Sequence, residues 1–295
     1  MKNYALVHMM AQQIIYNLKN FEIVGKIENK SPIFYHCLLS NNNIALCDDT
    51  SIKIYKEKKS LTDSVYQYFT KVQSEYELLF TLSEHKKSVC QVIEINADNI
   101  ASLSLDRTMI IWSRQKSYLS EKFIYTKKFF VNENEDLPTI ALKTKEDELV
   151  TGGFGNNYIQ FWETKNYINK KRIIDIKCNK FINSIIMIND NTLLIGGDNL
   201  DIYIIDSNKY ELISHITKYK RGVSAVRKLN NGNILIGCNE DNKLYSLVEY
   251  NYEKGDLIEV VSKKDAHSNI ITGLLELNDG EIVSCSYDQT IKFWG

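Results

Sequence analysis

No run of about 18 apolar residues occurs in this 295-residue chain, so no helix of it is expected to span a bilayer. A surplus of charge of either sign is missing too: 36 Lys and Arg stand against 37 Asp and Glu, a formal net charge of -1. General affinity for nucleic acid or for an anionic membrane needs a basic surplus, so neither partner is expected. The opening stretch MKNYALVHMMAQQIIYNLKN lacks a small-residue cleavage site after its short apolar part, and it reads as mature protein. Paired cysteines are lacking as well. Cys37, Cys47, Cys90, Cys178, Cys238 and Cys285 form no C-x-x-C pair and have no His at zinc-finger spacing. Each lies in or beside an apolar run, where a thiol acts as a small hydrophobe. Scattered thiols suit a reducing compartment, so a cytoplasmic location is expected. Proline is reduced to Pro32 and Pro138 and glycine to 13 residues, while Lys, Asn, Ile and Tyr are heavily used, a bias that AT-rich codons account for.

What is present is repetition. HKKSVCQVIEINADNIASLSLDRTMIIW, from His85 to Trp112, matches HSNIITGLLELNDGEIVSCSYDQTIKFW, from His267 to Trp294, with His, Asp and Trp at identical spacing (His85, Asp106, Trp112; His267, Asp288, Trp294). Weaker copies end at Tyr55, Trp162, Ile205 and Leu247. The ends recur at roughly 40–57 residues, within reach of the four-stranded repeat period. Inside a unit, short runs rich in β-branched residues alternate with turn residues. Val89–Ile95, Ile100–Leu105 and Met109–Trp112 are separated by Asn96–Asn99 and by Asp106–Thr108. Such runs predict antiparallel strands, and their near-continuous apolar character predicts sheets covered on both faces. Fourth strands are expected at Tyr76–Leu82, Lys122–Val131, Lys171–Ile176, Glu211–Thr217 and Asp256–Val261. The last unit has no chain left for one, and Phe21–Ile27 has the character of the missing strand.

The pattern resembles the WD-40 repeat β-propeller family over about residues 21–294, most closely at His85…Asp106…Trp112 and His267…Asp288…Trp294. The usual Trp-Asp is replaced by Trp112-Ser113, Trp162-Glu163, Ile205-Asp206 and Trp294-Gly295. The resemblance implies an all-β propeller of four-stranded antiparallel blades, six to seven in number, with the ring closed by pairing of the N- and C-terminal strands. Residues 1–20 would be extra strands or a partial blade, 21–295 the propeller, and 56–74 a charged insertion. It also implies a buried network in two blades. One set is His85, Ser102 or Ser104, Asp106 and Trp112; the other is His267, Ser284 or Ser286, Asp288 and Trp294, with Ser104 and Ser286 taken as the hydroxyl members. The chemistry is sound, since a buried indole N–H needs an acceptor and an imidazole between a hydroxyl and a carboxylate satisfies several groups together. A hydrolase built on this His/Ser/Asp set is rejected, because the set occurs twice with a structural Trp.

Other motifs reduce to structure. Gly152-Gly153-Phe154-Gly155 lacks the following Lys-Ser/Thr of a phosphate loop and reads as a turn between strands, with Gly196-Gly197-Asp198 as its counterpart. Lys218-Tyr219-Lys220-Arg221 is too short for nucleic-acid binding. Family position maps a partner surface onto Lys87, Leu105, Phe154, Arg221, Asn269 and Tyr287, a mix of aromatic and cationic groups that suits interface hot spots. The expected function is therefore a non-catalytic scaffold that binds proteins or peptides through loops on one face and needs no cofactor. Recognition of modified peptides or ubiquitin is the alternative within binding. A propeller hydrolase or lyase with a channel metal is the enzymatic alternative, for which the chain offers only His8, His36, His85, His215 and His267.

Overall fold

The computed structural model describes residues 4–9, 12–17, 23–28, 33–58, 75–116, 121–130, 137–155, 158–164, 169–176, 181–197, 201–217, 222–239 and 244–295. Every regular element among them is a strand, and the chain divides into two compact units, Met1–Thr139 and Ile140–Gly295. In the first unit a three-stranded sheet is formed by β1 (Tyr4–Met9), β2 (Gln12–Asn17) and β3 (Ile23–Glu28). A four-stranded sheet follows: β4 (Ile33–Leu38), β5 (Ile44–Asp48), β6 (Ser51–Glu57) and β7 (Tyr76–Leu82). The next holds β8 (Val89–Asn96), β9 (Asn99–Ser104), β10 (Thr108–Lys116) and β11 (Glu121–Phe130).

The second unit begins within β12 (Leu137–Lys145), which leads a sheet completed by β13 (Glu148–Phe154), β14 (Tyr158–Glu163) and β15 (Asn169–Asp175). Two more four-stranded sheets follow. One is β16 (Ile182–Asn189), β17 (Thr192–Gly197), β18 (Ile202–Asp206) and β19 (Glu211–Ile216). The other is β20 (Gly222–Lys228), β21 (Ile234–Asn239), β22 (Tyr245–Glu253) and β23 (Asp256–His267). The last described sheet has three strands, β24 (Ile271–Glu276), β25 (Ile282–Ser286) and β26 (Ile291–Trp294). Each sheet is an antiparallel meander in chain order, as short polar turns between apolar runs dictate.

The second strand of a sheet is the one most deeply covered: β5, β13 up to Gly153, and β17 are buried residue for residue. That burial follows from sheets packing face to face on sequential neighbours. In the first unit, Ala45, Ile52 and Ile54 meet Val89, Val92 and Ile110 in one apolar layer. In the second unit, Val150, Ile159 and Phe161 share a core with Ile182, Ile185 and Tyr203. Leu194 and Ile204 share the next with Val223, Ile236 and Val248. Leu235 and Leu247 pack on Ile271 in a third.

Glycine sets the spacing at these joints. A Cβ on Gly152 would lie 2.9 Å from Ile182 Cδ1, one on Gly196 2.5 Å from Val223 Cγ1, and one on Gly237 3.1 Å from Ile271 Cβ. The same relation recurs at three successive joints: a glycine near the end of the second strand faces the branched residue that opens, or nearly opens, the next sheet. This corrects the expectation of a turn. Gly152 lies near the end of β13 and Gly196 near the end of β17, where close sheet approach, not chain reversal, demands a missing side chain; Gly153 and Gly197 are likewise strand residues, and Gly155, at φ 73°, takes the turn conformation.

A carboxylate clamp recurs at the opposite end of the strands. Ser40, at the tip of the β4–β5 hairpin, donates its backbone N–H and its hydroxyl to Glu94 on β8, both at 2.8 Å. Asn230, at the tip of the β20–β21 hairpin, donates its backbone N–H to Glu276 on β24 at 2.6 Å.

The strand expected to close the last unit has another partner. The described part of Phe21–Ile27 lies in β3, which pairs with β2 in register from Gln12↔Glu28 to Tyr16↔Ile23. A short hairpin makes that local pairing the less costly closure. The sheet therefore runs across the boundary drawn at residue 20. Of the expected insertion at 56–74, Lys56 and Glu57 extend β6, and residues 59–74 lie outside the described residues. At its base Lys58 Nζ pairs with Glu75 at 2.9 Å, and Lys58 N donates to Glu75 O at 2.8 Å.

Candidate functional site

Two chains of hydrogen bonds organise one end of the sheets β8–β11 and β24–β26. In the first, Trp112 Nε1–H donates to Ser102 Oγ at 2.8 Å, and Ser102 Oγ lies 2.7 Å from His85 Nε2. His85 Nδ1 lies 3.0 Å from Asp106 Oδ2. One tautomer satisfies all of them: Ser102 O–H donates to Nε2, and Nδ1–H donates to the carboxylate. In the second, Trp294 Nε1–H donates to Ser284 Oγ at 2.8 Å, Ser284 Oγ lies 2.7 Å from His267 Nε2, and His267 Nδ1 lies 2.8 Å from Asp288 Oδ2.

The hydroxyl member is thus Ser102 and Ser284, and the assignment of Ser104 and Ser286 is corrected. In a strand, residues two apart share a face, so both serines of each pair lie on the side of the Trp; Ser102 stands opposite Ile110 and Ser284 opposite Lys292, each diagonal to its Trp and within reach of the indole, whereas Ser104 and Ser286 lie two residues farther along. Ser104 and Ser286 fasten loops instead. Ser104 Oγ–H donates to Lys87 O at 2.9 Å and accepts from Asp106 N at 3.0 Å. Ser286 Oγ–H donates to Asn269 O at 2.9 Å and accepts from Asp288 N at 3.0 Å.

The sequence reading also passed over Thr108 and Thr290. Thr108 Oγ1 donates to Asp106 Oδ1, and Thr290 Oγ1 donates to Asp288 Oδ1 at 2.6 Å. The shared spacing Asp106-Arg107-Thr108 and Asp288-Gln289-Thr290 was the available signal.

Each carboxylate is held by several donors. Burial pushes Asp106 up, but donation from His85, Thr108 and the Lys86 amide outweighs it and leaves the carboxyl well below its usual range. At Asp288 burial is likewise outweighed, by Thr290, His267 and the Ser268 amide. A depressed folded pKa gives stabilisation that is complete above the unfolded value of about 3.9 and is lost as pH falls towards the folded value. The urea midpoint should therefore lose stability progressively below about pH 4. Asp106→Asn should flatten that acid limb; an unchanged limb would show that this carboxylate is not among the groups responsible.

Chemically, the two sets are closed. Ser102 and Ser284 are fully buried and engaged by indole and imidazole, so neither hydroxyl is presented to a substrate. The thiols are no more reactive: burial pushes Cys37 and Cys90 up to about 11 and Cys47 well above its usual value. Among the described residues no group of three or more His, Cys, Asp or Glu is arranged to hold a metal ion.

Four of the mapped partner residues, Lys87, Leu105, Asn269 and Tyr287, lie on loops that these networks fix. In the first unit Lys87 is exposed and Leu105 half-buried, with Leu105 N donating to Ser88 O at 3.0 Å. In the second unit Asn269 is exposed, and Tyr287 is 67% exposed although its backbone N–H is pinned to Ile270 O at 3.0 Å. Phe154 is exposed against Phe181, ring centroids 4.1 Å apart, a pairing the sequence reading did not foresee. Arg221 lies outside the described residues.

Comparison with known proteins agrees with this arrangement. Residues 258–295 match the family profile described as WD domain, G-beta repeat. No curated protein matches the chain in sequence. A chain in the crystal structure of a mitotic checkpoint complex is similar in fold at TM-score 0.78 and 13% identity, with 99% of this chain and 84% of that one covered. The WD40 β-propeller domain of Doa1 is similar at TM-score 0.71 and 14% identity, with 99% and 89% covered. The fold is that of a β-propeller. It is the fold of WD40 repeat proteins, and the sheets described above are its blades.

Proposed function

We propose that this chain is a non-catalytic scaffold whose propeller binds protein or peptide partners through the loops at the Asp-turn ends of its blades. The observation that carries this reading is the division of labour around Asp288. The His, Ser and Asp are consumed inside a network that includes Trp294, while the adjoining Tyr287 is displayed on a backbone that the same network fixes. An aromatic side chain held in place loses little freedom on binding, which favours affinity. The WD40 family is generally non-catalytic, and one structure of similar fold comes from a multi-protein complex, which supports protein partners as the class. A reducing compartment fits the five described cysteines, all of them free.

The test is affinity capture with the whole chain as bait, followed by identification of what co-elutes. Tyr287→Ala should weaken retention of a reproducible partner by about tenfold, the range of an interface aromatic, with the unfolding midpoint nearly unchanged. Loss of folding in that variant would show a core role for the side chain. Equal retention by both proteins would remove this loop from the binding surface.

A further inference from the structure

The two networks impose the same backbone on the loops above them. Lys86 N donates to Asp106 Oδ2 at 2.9 Å, and Ser268 N donates to Asp288 Oδ2 at 3.1 Å. Arg107 N donates to Ser104 O and Gln289 N to Ser286 O, both at 3.1 Å, with Arg107 at φ 71° and Gln289 at φ 67°. Lys87 O and Asn269 O each accept a serine hydroxyl at 2.9 Å. Position by position, Lys86, Lys87 and Arg107 on β8–β11 correspond to Ser268, Asn269 and Gln289 on β24–β26. The scaffold is common, and the charge is not.

All three cationic residues are exposed, and among the described residues no side-chain ion pair or hydrogen bond engages their charged ends. Of the acids near these loops, Asp106 is turned inward to His85 and Thr108 and Asp48 pairs with Lys53 at 2.5 Å, while Glu84 and Asp49, which accepts the Ser88 hydroxyl at 3.0 Å, are exposed. Half-buried Leu105 lies between the lysine loop and Arg107 in the chain path of the turn, which adds an apolar contact.

We propose that the platform of Lys86, Lys87, Leu105 and Arg107 docks an acidic peptide segment, one with two or three carboxylates flanking an apolar residue. This rests on the reading of the chain as a protein-binding scaffold and names the chemistry of one of its loops. Three cations on two adjacent turns span a few residues of extended chain. They are too few for general nucleic-acid or membrane affinity, which needs a larger basic surface than a chain of net charge -1 offers. Charge pairs on exposed loops act at short range and are screened in about 10 Å at 0.1 M salt, so binding is salt-sensitive.

The duplicated loop supplies the control. Exchanging Lys86→Ser, Lys87→Asn and Arg107→Gln installs residues that this backbone already carries at the matching positions, so the unfolding midpoint should be preserved. The probe is a fluorescein-labelled peptide of sequence Glu-Glu-Leu-Glu-Glu, measured by anisotropy on the full chain at low salt. Its counterpart Gln-Gln-Leu-Gln-Gln, a single-stranded RNA oligonucleotide and phosphatidylserine vesicles serve as the other arms. The acidic peptide should bind, lose affinity as salt rises, and lose about tenfold in the triple variant, the scale of a few exposed charge pairs. Equal binding of the glutamine peptide, equal binding by the triple variant, or preference for RNA or vesicles would each overturn the proposal. If partner capture falls in Tyr287→Ala while the acidic peptide fails to bind, the scaffold reading stands and the platform does not.

Discussion

Asp106→Ala should destabilise the chain by about 3 kcal/mol, as expected when one member of a buried, hydrogen-bonded charge network is removed. The substitution strips partners from His85 Nδ1, from the Thr108 hydroxyl and amide, and from the Lys86 amide together. It also frees the loop that Lys86 belongs to. Asp288→Ala removes the corresponding bonds, but that network is less sealed. Thr108 and Trp112 are buried, whereas Thr290 is exposed and Trp294 half-buried, so water can take over part of the role there. Its expected cost is therefore nearer to about 1–2 kcal/mol. Urea unfolding of the two variants side by side decides the matter. Equal losses would mean that solvent access does not set the scale, and no loss in Asp106→Ala would mean that the network contributes nothing to stability.

Gly196→Ala is expected to cost about 1–3 kcal/mol, the usual penalty for overfilling a packed layer. The new Cβ would meet Val223 Cγ1 at 2.5 Å and Val223 Cβ at 2.9 Å, and Val223 is itself buried and stiff about χ1. The neighbouring sheet must shift to admit one methyl group. The diagnostic is the pair: Val223→Ala alone leaves a cavity, but combined with Gly196→Ala it makes room for the added methyl. The double variant should thus be more stable than the sum of the two single changes predicts, by a coupling above about 0.5 kcal/mol. Simple additivity would show that the two residues do not share a joint.

The strand pattern was legible in the sequence because period and turn chemistry agree. Tyr76–Leu82 is β7 residue for residue, and Glu211–Thr217 differs from β19 by one position. The His, Asp and Trp of the networks were legible for the same reason, through fixed spacing. The serine was not settled, since Ser102 and Ser104 share one face of β9 and only the pairing with β10, which sets Ser102 opposite Ile110 and diagonal to Trp112, decides which reaches the indole. Gly152 and Gly196 were misread as turn residues, because the demand for a missing side chain comes from Ile182 and Val223, which are distant in sequence. The same holds for Phe154, whose exposed partner Phe181 follows two strands later. Contacts between neighbouring sheets join residues far apart in the chain, and those are what sequence reading missed.

The carboxylate clamps carry a consequence for how this chain can drift. Glu94 and Glu276 grip main-chain amides, and every residue but proline has one to offer. The hairpin tip is already Ser40 in one clamp and Asn230 in the other. Variation among descendants should therefore gather at the tips, with proline alone debarred, while the acid that holds them stays put.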